Sequence, residues 1–429
     1  MEEVKRMERQ KSYICIDLKS FYASVECVER DLDLFTTNLV VADPTRSQST
    51  ICLAITPAMK KLGVKNRCRI HEIPAGIEYI TAMPRMQLYI DYSAKIYSIY
   101  LRYLSKEDIH VYSIDECFMD VTDYLSLYDM SAKEMAVELM DAVMKETGIT
   151  ATAGIGTNLY LAKVAMDILA KHVDDHIGIL DEISYRQKLW DHRPLSDFWR
   201  IGSRTERKLA GYGIHTMGDI AYASVTSEDW LYKMFGIDAE LLIDHAWGFE
   251  SCCMHDIKNY HTEEHSLSNG QVLMRNYSYE EAAVVVREMT DVLVLDLVAK
   301  GLITSSVTLW IAYDHRYEKP SSHGTVKLTS PTNSSNSIMD EVEKLYRQIA
   351  DRHTGIRRIE ICANRVTPEG YLQYDIFTDP IAIEKEKSLQ RAILDVKKRY
   401  GKNAIMRGAN LLECSTYRER NNQIGGHRA

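Results

Sequence analysis

The sequence predicts an α+β protein made of several domains, and three observations lead to this fold class. The chain has 429 residues, which implies two to four domains at roughly 100–200 residues each. Hydrophobic residues make up 45% of the chain and charged residues 26%, proportions typical of globular proteins. Short apolar runs alternate with longer segments in which apolar residues recur at helical spacing. Disordered and fibrous proteins are therefore excluded.

The first half of the chain mixes expected strands and helices. Apolar runs predict strands at residues 13–16, 38–42, 51–55, 109–113, 117–121 and 151–155. Helical spacing predicts helices at residues 86–104, 132–145 and 159–171. Residues 183–248 contain only short helical patterns rich in Trp, Lys and Arg, so this part is expected to form a small helical domain.

A second unit of strands and helices follows a stretch rich in His, Asn and Ser. Strands are predicted at residues 264–274, 305–313, 324–329 and 357–363, and helices at residues 279–300 and 337–352. This β-α-β-β-α-β order is typical of a split βαβ sandwich with one open sheet face. Beyond it, Asp379 and Pro380 are expected to end regular structure, so that residues 373–377 lie in an accessible tail.

Composition excludes membrane and secreted proteins. No apolar stretch approaches the roughly 18–20 residues that a membrane-spanning helix needs, so no membrane partner is expected. The charged N-terminal segment lacks the apolar core of a secretory signal. Nine cysteines without regular spacing indicate thiols in a reducing environment rather than a disulfide or zinc framework. We therefore expect a cytoplasmic protein.

The charge distribution bears on nucleic-acid binding. The formal net charge is −9, whereas a surface that binds nucleic acid is usually basic. Residues 381–429, however, contain 11 Lys and Arg against 5 Asp and Glu. A weakly basic surface fits an enzyme that releases DNA easily and needs a tether, and does not fit a tight, sequence-specific regulator.

Three acidic residues lie at the ends of predicted strands. Asp17 ends the first strand, and Asp115 follows 98 residues later, next to Glu116 and between two strand halves. Carboxylates brought together repel one another, and Mg²⁺ relieves the repulsion because it prefers oxygen ligands. Two such ions can clamp the attacking and leaving oxygens of a phosphoryl transfer. The residues alone leave a second interpretation open, that all three are ordinary turn residues.

The residues around these acids carry a family resemblance. Residues 17–26, DLKSFYASVE, resemble the opening D-x-x-x-F-Y-A-x-V-E motif of Y-family translesion DNA polymerases. Residues 112–120, YSIDECFMD, resemble that family's S-I-D-E-A-F-x-D motif. Residues 153–165 resemble its G-I-x-x-N-K-x-x-A-K-x-A motif, and residues 198–202, FWRIG, resemble its thumb. The matches follow the family order over about residues 13–370, and the later segments are most similar to the bacterial UmuC branch.

This resemblance implies a right-hand polymerase. Its expected parts are a palm at residues 11–21 and 89–181, small fingers at residues 22–88, a helical thumb at residues 182–250 with a helix-hairpin-helix-like DNA contact, a linker at residues 251–262, a split-βαβ little finger at residues 263–370 and a C-terminal tail at residues 371–429. The implied reaction is template-directed nucleotidyl transfer to a primer. Primer–template DNA and deoxynucleoside triphosphates are therefore the expected partners.

The resemblance also implies roles for individual residues of the palm and fingers. The expected catalytic residues and ligands of two Mg²⁺ ions are Asp17, Asp115, Glu116 and the carbonyl of Leu18. Tyr22, preceded by Phe21, would be the steric gate whose ring clashes with a 2′-hydroxyl. Lys163 would reach the triphosphate as a compact charge. A core tyrosine and a solvated lysine are the alternative interpretations of the last two.

Two further sets of contacts are expected, one in the fingers and one in the thumb. The family's fingers often hold the triphosphate with a Tyr and an Arg, but Pro57 and Lys60 stand at those positions here. Lys60 can neutralise a phosphate without forming a bidentate fork. In the thumb, Gly202, Arg204 and Lys208 are expected to contact DNA near a helix N-terminus. A solvated basic helix is the alternative.

A segment after the second unit resembles a recruitment motif. Residues 373–377, QYDIF, are similar to the Q-L-x-L-F motif that binds bacterial sliding clamps. Ile376 and Phe377 would fill an apolar pocket, and Gln373 would make the orienting hydrogen bonds. An edge strand that buries the same two apolar side chains in its own domain is the alternative. The resemblance also admits an SOS regulatory subunit or a recombinase as a partner.

The predicted function is an error-prone translesion DNA polymerase that acts in damage tolerance and SOS-type repair. The alternative is a catalytically weak, polymerase-like subunit that holds DNA in a repair complex. The presence of all three carboxylates and the gate disfavours that alternative. A nucleotide cyclase on a similar palm would leave the thumb and the split βαβ domain unexplained.

Overall fold

The computed structural model describes residues 10–46, 49–260, 266–370 and 379–429. The chain divides after Tyr260 into two units. Within the described ranges, no helix is long and apolar enough to cross a membrane.

The first unit alternates short strands and helices. Its described strands, β1 to β8, are Tyr13–Leu18, Leu39–Val41, Ala54–Ile55, Ile80–Ala82, Ile109–Val111, Glu116–Asp120, Ala151–Gly156 and Ile177–Leu180. Its described helices, α1 to α12, are Phe21–Val28, Pro57–Lys61, Met86–Tyr100, Thr122–Tyr128, Ala132–Thr147, Leu159–Val164, Glu182–Leu189, Ser203–Ala210, Met217–Thr226, Glu228–Phe235, Asp238–Trp247 and Met254–Asn259. The short helices that the sequence predicts over residues 183–248 are present as α7 to α11.

A five-stranded sheet in the order β5-β6-β1-β7-β8 forms the centre of the first unit. β1 pairs antiparallel with both β6 and β7, and β7 pairs parallel with β8. β7 is buried along its whole length and β1 along nearly all of it, which explains their unbroken apolar runs. This pairing sets the end of β1 beside the start of β6.

Two glycines in β7 let a helix lie close to this sheet. A Cβ atom on Gly154 would come within 2.0 Å of the carbonyl oxygen of Ala162, and one on Gly156 within 2.2 Å of its nitrogen. Only glycine leaves room for so close an approach of another backbone. The Gly-Ile-Gly run of β7 therefore allows α6, which carries Lys163, to pack against the central sheet.

The second unit has the predicted β-α-β-β-α-β order, followed by a C-terminal extension. Its described strands, β9 to β15, are Ser266–Tyr277, Leu302–Tyr313, Ser322–Thr332, Ile356–Asn364, Thr367–Pro368, Gln423–Ile424 and His427–Arg428. Its described helices, α13 to α16, are Tyr279–Lys300, Ser335–Ile349, Pro380–Tyr400 and Tyr417–Asn421. The main sheet has the order β11-β10-β12-β9, and one apolar core joins it to α13 and α14.

The expectation that Asp379 and Pro380 end regular structure is wrong. They begin α15, which runs to Tyr400. The Asp379 carboxylate accepts hydrogen bonds from the amides of Ile381 and Ala382 at 2.9 and 3.3 Å. Aspartate caps the free amides of a first turn, and proline suits the next position because its φ is already helical there.

A buried glutamate on α13 holds the segment after α15 to the second unit. The carboxylate of Glu288 accepts hydrogen bonds from the side chain of Asn410 at 3.2 Å and from the amide of Thr416 at 3.2 Å. Glu288 is 1% exposed, so these bonds compensate a carboxylate removed from water. The residues after Pro380 are thus folded against the second unit, whereas residues 373–377, which are expected in an accessible tail, lie outside the described residues.

Candidate active site

The three predicted carboxylates meet at one edge of the central sheet. Asp17, near the end of β1, is the direct cross-strand partner of Glu116 at the start of β6. The amide of Leu18 donates to the carbonyl oxygen of Asp115 over 2.9 Å. The antiparallel pairing of β1 with β6 therefore brings Asp17, Asp115 and Glu116 together.

The carboxyl groups of this edge repel one another. The pKa of Asp17 rises from an ordinary 3.8 to about 7, first because the side chain is buried and then because Asp115 and Glu116 lie near. Burial also raises the pKa of Glu116, against the opposing charge of Lys163. A divalent cation would remove the repulsion, and carboxylate oxygens are the donors that Mg²⁺ prefers. The donor set thus fits Mg²⁺.

Glu116 and Asp115 both contact other side chains. The ammonium of Lys163 lies 2.9 Å from Oε1 of Glu116, and the thiol of Cys15 donates to the same oxygen over 3.3 Å. Oδ1 of Asp115 accepts a hydrogen bond from the Ser113 hydroxyl over 2.6 Å. As the side chains stand, no group of three or more His, Cys, Asp or Glu in the described part of the chain is arranged to hold a metal ion. These contacts use one oxygen of each carboxylate, Oε1 of Glu116 and Oδ1 of Asp115.

Lys163 is held between two carboxylates. Its Nζ lies 3.0 Å from Oδ2 of Asp167, one turn further along the chain, in addition to its contact with Glu116. Burial would lower the pKa of Lys163, but the charges of Asp167 and Glu116 outweigh burial and raise it. Sequence reasoning missed Asp167, although its spacing of four residues from Lys163 was an available signal.

Tyr22 on α1 is stacked on a second aromatic ring. The ring of Tyr89 on α3 lies nearly parallel to it, with centroids 4.5 Å apart and planes inclined by 16°. Phe21 is buried beside Tyr22, with ring centroids 5.8 Å apart. Sequence reasoning missed Tyr89, because only the packing of α1 against α3 brings the two tyrosines together.

A buried glutamate fixes Tyr89 in this stack. The Tyr89 hydroxyl donates to Oε1 of Glu26 over 2.6 Å, and the guanidinium of Arg85 donates to both Glu26 oxygens at 2.8 and 3.0 Å. Arg30 pairs with the same carboxylate. Burial alone would raise the pKa of Glu26, but the hydrogen bonds from Arg85, Tyr89 and Arg30 lower it. The charged carboxylate therefore holds Tyr89 against Tyr22.

Comparison with known proteins identifies the family. A model of the impB/mucB/samB family matches residues 16–167, and a model of that family's C-terminal domain matches residues 264–376. A protein of Bacillus subtilis (strain 168) named DNA polymerase IV 2 is 30% identical over 429 aligned residues, covering 98% of this chain and 100% of its relative. The chain belongs to the impB/mucB/samB family of Y-family DNA polymerases.

Two further comparisons agree with this identification. UvrX of Bacillus subtilis (strain 168), a protein assigned to UV-damage repair, is 29% identical over 98% of this chain and 98% of its own. A solved Y-family DNA polymerase chimera of Dbh and Dpo4 superposes with a TM-score of 0.64 at 20% identity, covering 83% of this chain and 99% of the chimera, a likeness in fold. The predicted family, fold class and DNA-directed DNA polymerase activity are confirmed. Membership in this family implies dependence on divalent metal in general.

In this polymerase, Lys60 on α2 lies close to the start of α1. Its Nζ donates to the Ser20 hydroxyl over 2.9 Å. Burial lowers the pKa of Lys60, while the charge of Asp17 opposes that effect. The fold thus brings Lys60 towards the carboxylate edge, and its contact with a phosphate stays a prediction.

The two basic side chains that are expected to contact DNA from the thumb differ in whether they already bind other groups of the protein. Gly202 is the N-cap of α8, and a Cβ there would meet no atom within 4 Å. Arg204 is exposed on the first turn of α8. Lys208, in contrast, donates to the carbonyl oxygen of Met234 over 2.6 Å and lies 4.6 Å from the ring centroid of Phe235. Because Lys208 already binds its own unit, Arg204 is the better candidate for a phosphate contact.

As a DNA polymerase, the enzyme binds primer–template DNA and deoxynucleoside triphosphates. The predicted clamp motif, with Gln373, Ile376 and Phe377, lies outside the described residues. Binding of a sliding clamp, an SOS regulatory subunit or a recombinase therefore stays a prediction.

Proposed function

We propose that this polymerase is an error-prone translesion enzyme that extends primers across damaged template with two Mg²⁺ ions, in SOS-type damage tolerance. The meeting of Asp17, Asp115 and Glu116 at one sheet edge, with the pKa of Asp17 raised to about 7, carries the proposal. The similarity to UvrX, assigned to UV-damage repair, supports the role in damage tolerance.

The three carboxylates and the carbonyl of Leu18 would hold the ions. Mg²⁺ held there would stabilise the negative charge that develops during nucleotidyl transfer. When Glu116 serves as a ligand, Lys163 loses one of its two acidic partners and its ammonium becomes free for a triphosphate oxygen. Lys60 approaches the same edge from α2 and would neutralise a second phosphate.

Tyr22 would select the sugar of the incoming nucleotide. Its ring excludes a 2′-hydroxyl by contact, which requires that the ring cannot retreat. Tyr89 stacks on one face of that ring and is itself fixed by Glu26. A rigid gate therefore follows from the stack rather than from Tyr22 alone.

Low fidelity and recruitment complete the proposal. A site that accepts a damaged base cannot enforce the shape of a base pair closely, so discrimination of about 10–200-fold is expected. The segment with Ile376 and Phe377 would tether the enzyme to a sliding clamp, which raises its effective concentration at the primer without new DNA contacts.

Primer extension on undamaged and abasic templates tests the function. Asp115→Asn and Glu116→Gln should abolish extension while DNA binding, measured by fluorescence anisotropy, stays nearly intact. Asp141→Asn on the exposed face of α5 is a matched control that should extend as the wild type does. Undiminished synthesis by either active-site variant would contradict the metal site. If the wild type binds primer–template DNA but fails to extend it, the result would instead support the alternative, a catalytically weak subunit that holds DNA.

A further inference from the structure

A hydrogen bond joins the acidic turn of the site to the segment that leads into α8. The indole N–H of Trp199 donates to the hydroxyl of Tyr112 over 3.1 Å, across 87 residues of sequence. Tyr112 directly precedes the turn that carries Asp115, and Trp199 lies three residues before Gly202. This contact therefore connects the metal site with the proposed phosphate-binding helix.

The backbone at Tyr112 determines where the acidic turn lies. The amides of Tyr112 and Ser113 both donate to the carbonyl oxygen of Glu116, at 2.9 and 3.1 Å. The Ser113 hydroxyl then donates to the Asp115 carboxylate over 2.6 Å. A side chain that fixes Tyr112 thus fixes the turn from which Asp115 projects.

Aromatic packing reinforces the hydrogen bond. The Tyr112 ring meets Phe118 edge-on at 5.6 Å and Trp199 edge-on at 5.9 Å, and Phe118 lies 5.8 Å from Trp199. Phe118 is buried on β6, two residues after Glu116, whereas Tyr112 is 47% exposed. Tyr112 and Trp199 thus contact each other both through the hydrogen bond and through their rings.

Trp199 also packs on core residues of the central sheet and α6, and two further neighbours lie in the thumb segment. The guanidinium of Arg200 lies 4.9 Å from the ring centroid of Trp199, and His245 stacks on the same ring at 6.3 Å with planes inclined by 18°. Arg200 has a φ of +68°, a left-handed conformation that a non-glycine residue rarely adopts, and α8 is capped two residues later. The indole of Trp199 therefore lies directly beside the backbone that enters α8.

We propose that Trp199 and Tyr112 are positioning residues for the polymerase reaction. Through their hydrogen bond, a phosphate held at the start of α8 and the carboxylate of Asp115 are set in place together. The inference rests on the proposed function, since it needs Asp115 to be a metal ligand. It assigns no contact with substrate to either aromatic residue.

A double-mutant cycle tests this coupling. Trp199→Phe and Tyr112→Phe each remove one partner of the bond and keep an aromatic ring. Each should lower kcat for nucleotide insertion about threefold to tenfold, the effect of one lost hydrogen bond, and should raise the Mg²⁺ concentration for half-maximal activity. KM for the nucleotide and Kd for DNA should stay near wild-type values, as should Tm for Tyr112→Phe, which keeps the whole ring. The double variant should be no slower than the slower single variant, because both changes remove the same interaction.

Matched controls lose equivalent bonds elsewhere in the first unit. Trp247→Phe removes an indole bond to Ser224 of 3.0 Å, and Tyr128→Phe removes a hydroxyl bond to the Tyr103 carbonyl of 2.9 Å. Both controls should keep the wild-type kcat and Mg²⁺ dependence.

Unchanged kcat in both single variants, or losses that multiply in the double variant, would overturn the coupling. A fall in Tm with wild-type kcat would also overturn it, since that pattern is purely structural. Asp115→Asn separates the two proposals. If this variant still synthesises DNA, the proposed metal site is wrong. If it is inactive while Trp199→Phe and Tyr112→Phe keep wild-type activity, only the coupling is refuted.

Discussion

Two buried acidic centres of the first unit have opposite electrostatics. Glu26 receives hydrogen bonds from Arg85 and Tyr89, and its pKa is lowered despite burial. Asp17 has two further carboxylates as neighbours, and its pKa is raised to about 7. A buried carboxylate whose charge is compensated by its own fold supports structure. One that is left beside like charges is where we propose that a cation binds.

The largest effect is expected from Asp17→Asn in the metal-free enzyme. Because the pKa of Asp17 is higher in the folded state, about 7 against 3.8, its contribution to stability is complete below about pH 4 and is lost as pH rises through 7. By pH 8.5 the wild type bears a cost of about 4 kcal/mol, which asparagine removes. Urea unfolding in EDTA should show a more stable variant at pH 8.5, with a difference that shrinks towards pH 4.

Intrinsic fluorescence suits this measurement because four of the five tryptophans lie in the first unit. Asp141→Asn, on the exposed face of α5, should leave the pH profile unchanged. A variant Asp17→Asn that is no more stable than wild type at pH 8.5 would show that the carboxylates do not repel as described.

The second effect concerns the compensated centre. Glu26→Gln removes the charge that faces two arginines and should destabilise the first unit by about 3 kcal/mol, the low end for a broken buried pair, because both arginines keep contact with water. The pKa of Glu26 is lowered in the folded state, so its contribution is present above about pH 4.5 and is lost as pH falls through the folded pKa. Urea unfolding at pH 7 measures this loss of stability. A Glu26→Gln variant that is more stable than wild type would contradict the claim that Glu26, unlike Asp17, is compensated by its neighbours.

The third effect concerns discrimination against ribonucleotides by Tyr22, whose ring is supported by Tyr89. Tyr22→Ala should raise ribonucleotide incorporation about 10–200-fold, whereas Tyr22→Phe should change it little because the ring is kept. Tyr89→Leu should raise it by less, since Tyr22 remains but loses the ring that supports it. Single-nucleotide insertion with ribo- and deoxyribonucleotides measures all three, and equal discrimination by wild type and Tyr22→Ala would refute the gate.

The smallest effect separates two cations of α8. Arg204→Ala should weaken DNA binding and reduce the slope of log Kd against log salt by about 1. Lys208→Ala should change that slope less, because its ammonium already binds the Met234 carbonyl. Anisotropy titrations at several salt concentrations compare the two, and a larger change for Lys208→Ala would reverse the assignment.

Local sequence was sufficient for the strands that carry the carboxylates, missed β4 and β8, and was insufficient where packing decides. Asp17 and Asp115 could be predicted because apolar strand runs end at acids within motifs. Tyr89 could not, because nothing in the sequence says which face of α3 meets α1. Lys163 was predicted to point at a triphosphate, but its bonds to Glu116 and Asp167 depend on the close approach of α6 that Gly154 permits.

The error at Asp379 has a different cause. Asp-Pro occurs both in turns and at the first positions of helices, and only the residues that follow distinguish the two. Here Ile381 and Ala382 donate their amides to the aspartate, and the 21-residue α15 follows.

Proton release on Mg²⁺ binding tests the central claim most directly. If Asp17 has a pKa of about 7 and joins the metal site, binding at pH 7 must displace about half a proton from it. Calorimetric titrations of the enzyme with MgCl₂, in buffers of different ionisation enthalpy, measure that number. We predict about half a proton released at pH 7, almost none at pH 9 and none from Asp17 in the Asp17→Asn variant. Mg²⁺ binding to the wild type at pH 7 without proton release would contradict the account.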